Sequence, residues 1–385
     1  EGRALLAFVS HYKISGQKIP CMDLMLEQMP GKLNTEGYFG PLYRGNIHEE
    51  QLSGHSWLLR GLCEHYQTFG DTLSLAAINN IARNLYLPLR GKIATYPIIR
   101  SESKKGGVSG ELAGNIDGWV LSTDIGCAFM SIDGLSHAYE ITKDVKIKEL
   151  LDEMITFYLS IDKCAIKAQT HCTLTAARGM LRMYRNTREN QYLHGAENIL
   201  DLYVFGGGMT KTYQNLNWWN RADSWTEPCA IVDSLMVATE LYKLTKKEMY
   251  RTLAARIYHN GLSTAQRSNG GAGTDTLICA GSPHKDLHPL TYEAEFCCSM
   301  RMAEGLWYIK ENQDLLWAEQ SGNVAKNTDN TYCDNDILYC LPDEALLPFA
   351  ENGTQVDGLT LYPIVKAYKV PKEILISSHQ KIVFD

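Results

Sequence analysis

Apolar residues recur at the spacing of one helical face through most of this chain, as in Leu150-Leu151-Met154-Ile155-Tyr158 and Leu174-Ala177-Met180-Leu181-Tyr184. Six such stretches end near a tyrosine: Tyr12, Tyr66, Tyr139, Tyr184, Tyr242 and Tyr308. A short polar turn follows each one, among them Lys13-Ile14-Ser15-Gly16, Gln67-Thr68-Phe69-Gly70-Asp71 and Ile309-Lys310-Glu311-Asn312-Gln313, and a second helical pattern usually begins beyond it. Turn residues at a recurring place mark helical hairpins. The pattern therefore predicts an all-α toroid of six antiparallel hairpins, an (α/α)6 barrel, over residues 1–320.

The tyrosines are unevenly spaced, so insertions must lengthen the loops that lead into some of the inner helices. Pro30 to Gln51, Leu89 to Ser122, Gly206 to Thr226 and Ser268 to Thr291 are long and rich in Gly, Asn, Tyr and Trp. Gathered on one face of a rigid scaffold, such loops are where binding and chemistry usually sit. After about Gln320 the period changes. Asp336-Ile337-Leu338-Tyr339-Cys340-Leu341 and Leu359-Thr360-Leu361-Tyr362 read as short strands, which makes residues 321–385 a β-rich appendage too small for an independent sheet domain. Glu1-Gly2-Arg3-Ala4-Leu5-Leu6 already carries a helical pattern with no capping residue before it, which predicts native sequence upstream and leaves room for a removed leader.

Composition narrows the partners. Hydrophobic residues make up 45% and charged residues 21%, an ordinary globular balance. A net charge of -7 argues against a phosphate-backbone partner, because affinity for nucleic acid needs clustered Lys and Arg. No uninterrupted apolar run reaches the ~18 residues of a membrane span. A neutral substrate fits better, and homo-oligomerisation is left open. Eleven cysteines cannot all pair, so most are read as free or metal-bound thiols, which leans toward a cytoplasmic rather than a periplasmic setting.

Candidate chemistry lies in two of these thiol stretches. Glu227-Pro228-Cys229 opens one helical pattern and Cys297-Cys298 opens another. Three thiols and a carboxylate are a tetrahedral zinc donor set, and zinc-bound sulfur is already a thiolate. Pro228 suits the first helical position, which puts Glu227 at the cap, where its carboxylate and the Cys229 sulfur can point the same way. Two unrelated buried thiols, or a strained vicinal disulfide, are the plainer readings of the cysteine pair. His55, His171, Cys229 and Cys297 each lie eleven to thirteen residues before their tyrosine, so all four fall about three helical turns from one end of the ring. For each histidine alone, a satisfied core residue is the competing reading.

These residues resemble the β-L-arabinofuranosidase family of glycoside hydrolases. Glu227-x-Cys229 and Cys297-Cys298 carry the specific part; Glu36-Gly37-Tyr38-Phe39-Gly40 is similar to the family's Asp-Gly-Tyr-Leu-Gly turn, and Gly54-His55 to its Gly-His. The resemblance runs from residue 1 to about 310. It implies an α/α toroid with β-sandwich material, a zinc ion held by Glu227, Cys229, Cys297 and Cys298, and a retaining reaction in which Cys297 attacks the anomeric carbon. His55 and His171 would bind sugar hydroxyls or orient ligands. Trp218, Trp219 and Tyr38 would offer aromatic faces to a sugar, or else plug the mouth of the ring.

One departure stands out. The family carries its general acid/base glutamate sixteen residues before the chelating one, and that position is Lys211 here. Asp223 is the leading substitute, with Glu293 and Glu295 behind it. Two other functions therefore remain: a carbohydrate binder with a structural zinc, and a sugar isomerase or epimerase using His55 and His171 as acid and base.

Overall fold

A computed structural model describes residues 2–42, 45–100, 110–221, 224–267, 270–273 and 297–316, and the backbone of short strands between 331 and 383. Helices dominate the first part. They are α1 (Gly2–Ser15), α2 (Pro20–Gln28), α3 (Glu49–Phe69), α4 (Thr72–Asn80), α5 (Ser131–Thr142), α6 (Val145–Ser160), α7 (Thr170–Thr187), α8 (Asn190–Phe205), α9 (Pro228–Thr245), α10 (Glu248–Arg256) and α11 (Cys297–Leu316).

Each odd-numbered helix packs on the next: α1 on α3, α3 on α5, α5 on α7, α7 on α9, α9 on α11, and α11 back on α1. The circuit closes. Burial follows from that position: α7 is buried continuously from Thr170 to Met183, whereas its neighbour α6 buries only the stripe Ile147, Leu150, Leu151, Met154, Ile155 and Tyr158. A helix hydrophobic on one stripe has one covered side, and a helix buried all round lies inside. The ring is tight enough that a Cβ on Gly179 would stand 2.5 Å from the carbonyl oxygen of Ile132. Glycine is what lets α5 and α7 approach so closely.

The repeating tyrosines have a local cause. Gly16, Gly70, Lys143, Arg188 and Lys246 all adopt the left-handed conformation, and each donates its N–H to the carbonyl four residues back, on Tyr12, Tyr66, Tyr139, Tyr184 and Tyr242, at 2.7 to 2.9 Å. These are left-handed helix caps. Three of the five are cationic rather than glycine, and the charges of Lys143, Arg188 and Lys246 lie 5.5 to 5.7 Å from the ring centres of Tyr139, Tyr184 and Tyr242. Cation–π attraction offsets part of the steric penalty of a side chain in that region.

The sixth marker behaves differently. α11 does not turn after Tyr308; Ile309-Lys310-Glu311-Asn312-Gln313 is helical and the helix runs on to Leu316. Ile309, Asn312 and Leu316 are buried, so the inward stripe continues past the tyrosine and helix is retained. An outer helix after α11 lies outside the described residues.

A small sheet sits at the start of α3. β1 (Ile47–His48) runs parallel to β3 (Trp119–Ser122), which pairs antiparallel with β2 (Leu112–Ile116). Farther along, Thr331–Asp334 pairs with Ile337–Cys340, Thr354–Val356 with Leu359–Leu361, and Glu373–Ser377 with Gln380–Val383, all antiparallel. No helix among the described residues is long and apolar enough to cross a membrane.

Candidate metal centre

Glu227 is extended (φ -130°, ψ 110°), Pro228 takes the first position of α9, and Glu227 makes no side-chain capping bond to its own helix. Its carboxylate is thereby released for other partners. The Glu227 N–H donates to Asn215 Oδ1 at 2.7 Å, and Asn215 Nδ2 donates to Thr170 Oγ1 at 3.2 Å, which ties the loop before α9 to the start of α7. Glu227 Oε2 accepts from Gln169 Nε2 at 3.4 Å. Its Oε1 faces inward, 3.2 Å from His171 Nδ1 and 3.9 Å from Cys297 Sγ.

Three sulfurs meet that carboxylate. Cys229 Sγ is 3.8 Å from Cys298 Sγ, Cys297 Sγ is 4.0 Å from Cys298 Sγ, and the four donor atoms all lie within 4.8 Å of one another. A zinc tetrahedron with metal–sulfur bonds of about 2.3 Å has sulfur–sulfur edges of about 3.8 Å. The donor set fits such an ion. Both cysteines of the pair lie in the first turn of α11, where helical residues one apart diverge by about 100°, yet their sulfurs are 4.0 Å apart. Glu227, Cys229 and Cys298 are buried, and Cys297 is half-buried.

The three thiols are not equivalent. Hydrogen bonds from Cys229 and Cys298 hold Cys297 well below the ordinary thiol range, and the charges of Arg3 and His171 add to that against the opposing effect of burial. Burial and the Cys297 sulfur push Cys229 up. Of the three, Cys297 is the sulfur whose ionisation its neighbours favour, and it stands at the positive end of α11.

Beneath the cluster runs a column of buried charge. His171 Nε2 lies 3.3 Å from Asp233 Oδ2. Burial lowers the His171 pKa, but Glu227 and Asp233 outweigh burial and raise it to about 9, which favours the charged ring between the two carboxylates. Asp233 also accepts from Thr175 Oγ1 and Arg178 Nη1, both at 2.6 Å, and pairs with Arg301. Deeper still, Arg178 and Arg60 share Glu304 Oε1 at 3.0 and 2.7 Å, and Arg60 and Arg182 converge on Asp133 at 3.1 and 2.5 Å. On the other side, the guanidinium groups of Arg3 and Arg301 sit 4.6 and 4.7 Å from the ring centre of Trp57, whose indole is 5.6 Å from the His171 ring.

A cavity of about 370 Å³ adjoins these groups, lined in part by Arg3, Glu50, His55, Trp57 and Met300. His55 reaches this cavity without joining the sulfur cluster. Its Nδ1 donates to Gln51 O at 2.7 Å and its Nε2 accepts the Phe39 N–H at 2.9 Å, so the ring fastens the turn at residues 36–40 to α3. The tautomer follows, since a carbonyl only accepts and an N–H only donates. Tyr38 is buried, donates to Glu36 Oε2 at 3.3 Å, and lines a neighbouring cavity of about 400 Å³.

The aromatic platforms need correcting. Trp218 and Trp219 have no exposed surface: Trp218 is edge-on to Trp225 under the Arg221 guanidinium, 4.0 Å from its ring centre, and Trp219 lies against Gly208. Their loop folds back on α7 through Thr170 and Trp218, which buries the indoles instead of presenting them. Lys211 is exposed in a turn. Asp223, Glu293 and Glu295 lie outside the described residues. Sequence reasoning missed Gln169, Asn215, Arg3, Trp57, Asp233 and Arg301. A signal existed for the last two, each four residues beyond a cluster cysteine on the same helical face.

No family model matches the chain, and no curated protein is similar to it. Solved structures are. One described as a glycoside hydrolase aligns with 79% of this chain and 54% of its own at 14% identity and a TM-score of 0.56. A GH127 beta-L-arabinofuranosidase from Geobacillus stearothermophilus T6 aligns with 88% of this chain and 60% of its own at 11% identity and a TM-score of 0.52. A D-mannose isomerase aligns with 81% and 85% at 14% identity and a TM-score of 0.56. The chain spans about half the length of that glycoside hydrolase. Likeness at such identity speaks to fold: this is a helix-rich protein whose structural neighbours are (α/α)6-type glycoside hydrolases and sugar isomerases.

Proposed function

We propose that this chain is a zinc-dependent retaining glycoside hydrolase of the β-L-arabinofuranosidase type, an (α/α)6 barrel over residues 1–320 with a β-rich appendage from 321, acting on an arabinofuranoside or related glycan. The observation that carries the reading is the meeting of Glu227 with Cys229, Cys297 and Cys298 within 4.8 Å, beside a cavity large enough for a sugar ring. Those four residues would hold the ion, which when bound stabilises the sulfurs as thiolates.

Cys297 is the nucleophile in this reading, because it is the cluster cysteine that is half-buried rather than buried and the one whose ionisation its neighbours favour. Its sulfur bonds to the anomeric carbon as the glycosidic oxygen leaves, and water then releases the sugar with retention. His171 holds Glu227 from behind, and His55 shapes the cavity wall.

A panel of nitrophenyl furanosides and pyranosides tests the proposal on intact protein and on Cys297→Ser. Turnover lost in the variant supports it; turnover unchanged in the variant overturns the nucleophile. The exposed Lys211, where the resembling family has its acid, favours one second reading, a carbohydrate binder with a structural zinc. That reading predicts sugar binding with no hydrolysis of any glycoside in the panel.

A further inference from the structure

We propose that Glu50 supplies the acid/base function that Lys211 cannot. This rests on the hydrolase reading above. Among the described residues, Glu50 is the carboxyl group that lines the 370 Å³ cavity, and it shares that cavity with Arg3, Trp57 and Met300. Those three tie the cavity to the cluster. Arg3 lies close enough to feel the charge of all four donors, Trp57 packs on the His171 ring, and Met300 is one helical turn beyond Cys297. Glu50 therefore shares one cavity of about 370 Å³ with the groups around the nucleophile.

Its surroundings differ sharply from those of its neighbour. Glu49 is fully buried and fixed: its oxygens take the Tyr96 hydroxyl at 2.6 Å, the Ser122 N–H at 2.8 Å and the Arg100 guanidinium at 3.1 Å. Glu50 is half-buried, and its Oε1 accepts a hydrogen bond from Ser122 Oγ at 3.0 Å. Glu49 anchors the start of α3, and Glu50 turns to the cavity. Burial, and then the adjacent Glu49 charge, raise its pKa despite the Ser122 bond. Other ionisable groups near it are His48, itself lowered by burial, the Cys127 thiol, and Arg3 and His55 on the same cavity. A carboxyl group that keeps its proton longer than usual suits a general acid.

The protons balance. As the Cys297 sulfur bonds to the anomeric carbon, the bond to the glycosidic oxygen breaks and Glu50 gives that oxygen its proton, so the aglycone leaves as an alcohol. In the second step the Glu50 carboxylate takes a proton from water, the water oxygen bonds to the anomeric carbon, the carbon–sulfur bond breaks, and Cys297 is regenerated as thiolate with Glu50 protonated.

Glu50→Gln tests this on two substrates of one sugar. With an alkyl aglycone, which needs a proton to leave, kcat/KM should fall by about 10²–10⁴-fold. With a dinitrophenyl aglycone, which does not, a burst of phenolate should survive, slow turnover should follow, and azide should restore the rate by forming a glycosyl azide of retained configuration. Should Glu50→Gln fold poorly by circular dichroism, Glu50→Asp keeps the acid one methylene shorter, and a larger loss on the alkyl than on the dinitrophenyl substrate is again expected. Equal losses on both substrates, or no loss on either, overturn the role. If Cys297→Ser abolishes turnover while Glu50→Gln leaves the alkyl glycoside unaffected, the Glu50 role falls and the hydrolase stands; if the wild-type protein turns over neither substrate, the hydrolase reading itself falls.

Discussion

Cys229 Sγ and Cys298 Sγ lie 3.8 Å apart although 69 residues separate them in the chain, and neither forms a disulfide. Two buried sulfurs at the edge length of a zinc tetrahedron, with a third sulfur and a carboxylate beside them, form a donor set that could hold a metal ion, and binding one would convert the thiols to thiolates. Purified protein should carry one equivalent of zinc by elemental analysis, and Cys229→Ala should lose it. A chelator should lower the thermal midpoint of the wild type and leave that of the variant unmoved, since a ligand at about 100 times its Kd stabilises by about 2.7 kcal/mol. Wild-type protein that takes up no zinc from a zinc-containing buffer would remove the centre of the proposal.

His171 and Asp233 should separate positioning from folding. His171 touches Glu227 on one side and Asp233 on the other. His171→Ala removes the cation that orients the Glu227 carboxylate, and outer partners of metal ligands are typically worth about 10–100-fold in affinity. Zinc competition with a chromophoric chelator should read that loss in a protein that stays folded. Asp233→Asn is a different lesion, because it leaves Arg178 and Arg301 without their shared anion in the interior. Breaking a buried pair costs about 3–5 kcal/mol, so this variant should show its defect in the denaturation midpoint even when saturated with zinc.

Asp133 makes acid stability specific. Burial alone would raise its pKa, but Arg178, Arg182 and Arg60 hold it down to about 2. A carboxyl lowered on folding binds its proton more readily when unfolded, so its contribution is complete above the unfolded value of about 4 and is lost as pH falls toward the folded value. The contribution at neutral pH is about 2 kcal/mol. Asp133→Asn should be less stable than wild type at pH 6, and the gap measured by urea unfolding should narrow by about that amount by pH 2. A gap independent of pH contradicts the assignment.

Much of this was legible along the chain, and the limits have physical causes. The tyrosine marker could be read because each left-handed cap needs a carbonyl four residues back, a purely local relation. The same marker misled at Tyr308, where Ile309, Asn312 and Leu316 pack inward and long-range burial prolonged the helix. Glu227 and its three cysteines could be grouped because Pro228 fixes how α9 begins and because few residue types hold zinc. The indoles of Trp218 and Trp219 could not be placed, since whether a loop tryptophan faces solvent depends on where the loop folds back. Glu50 was hidden beside Glu49 for a similar reason: two adjacent glutamates in a first helical turn look alike until Tyr96, Arg100 and the Ser122 amide claim one of them.

Two glycines should distinguish cap geometry from ring packing. Gly70 closes α3 at φ 68°, and a Cβ built on it meets nothing within 4 Å, so Gly70→Ala carries only the conformational penalty of that region, about 1 kcal/mol. Gly179 has ordinary helical geometry, yet its Cβ would fall 2.5 Å from Ile132 O and 2.8 Å from Asp133 N. Neither neighbour is a flexible side-chain end; both belong to the α5 backbone, so α5 and α7 must separate. Overpacking of this kind costs about 1–3 kcal/mol and at times more. The separation would also pull Asp133 away from Arg178 and Arg182, which are carried on α7. Gly179→Ala should therefore lower the thermal midpoint well beyond Gly70→Ala, and it alone should weaken the pH dependence ascribed to Asp133. Equal shifts in the two variants would mean that the inner helices have more slack than a closed ring of this tightness allows.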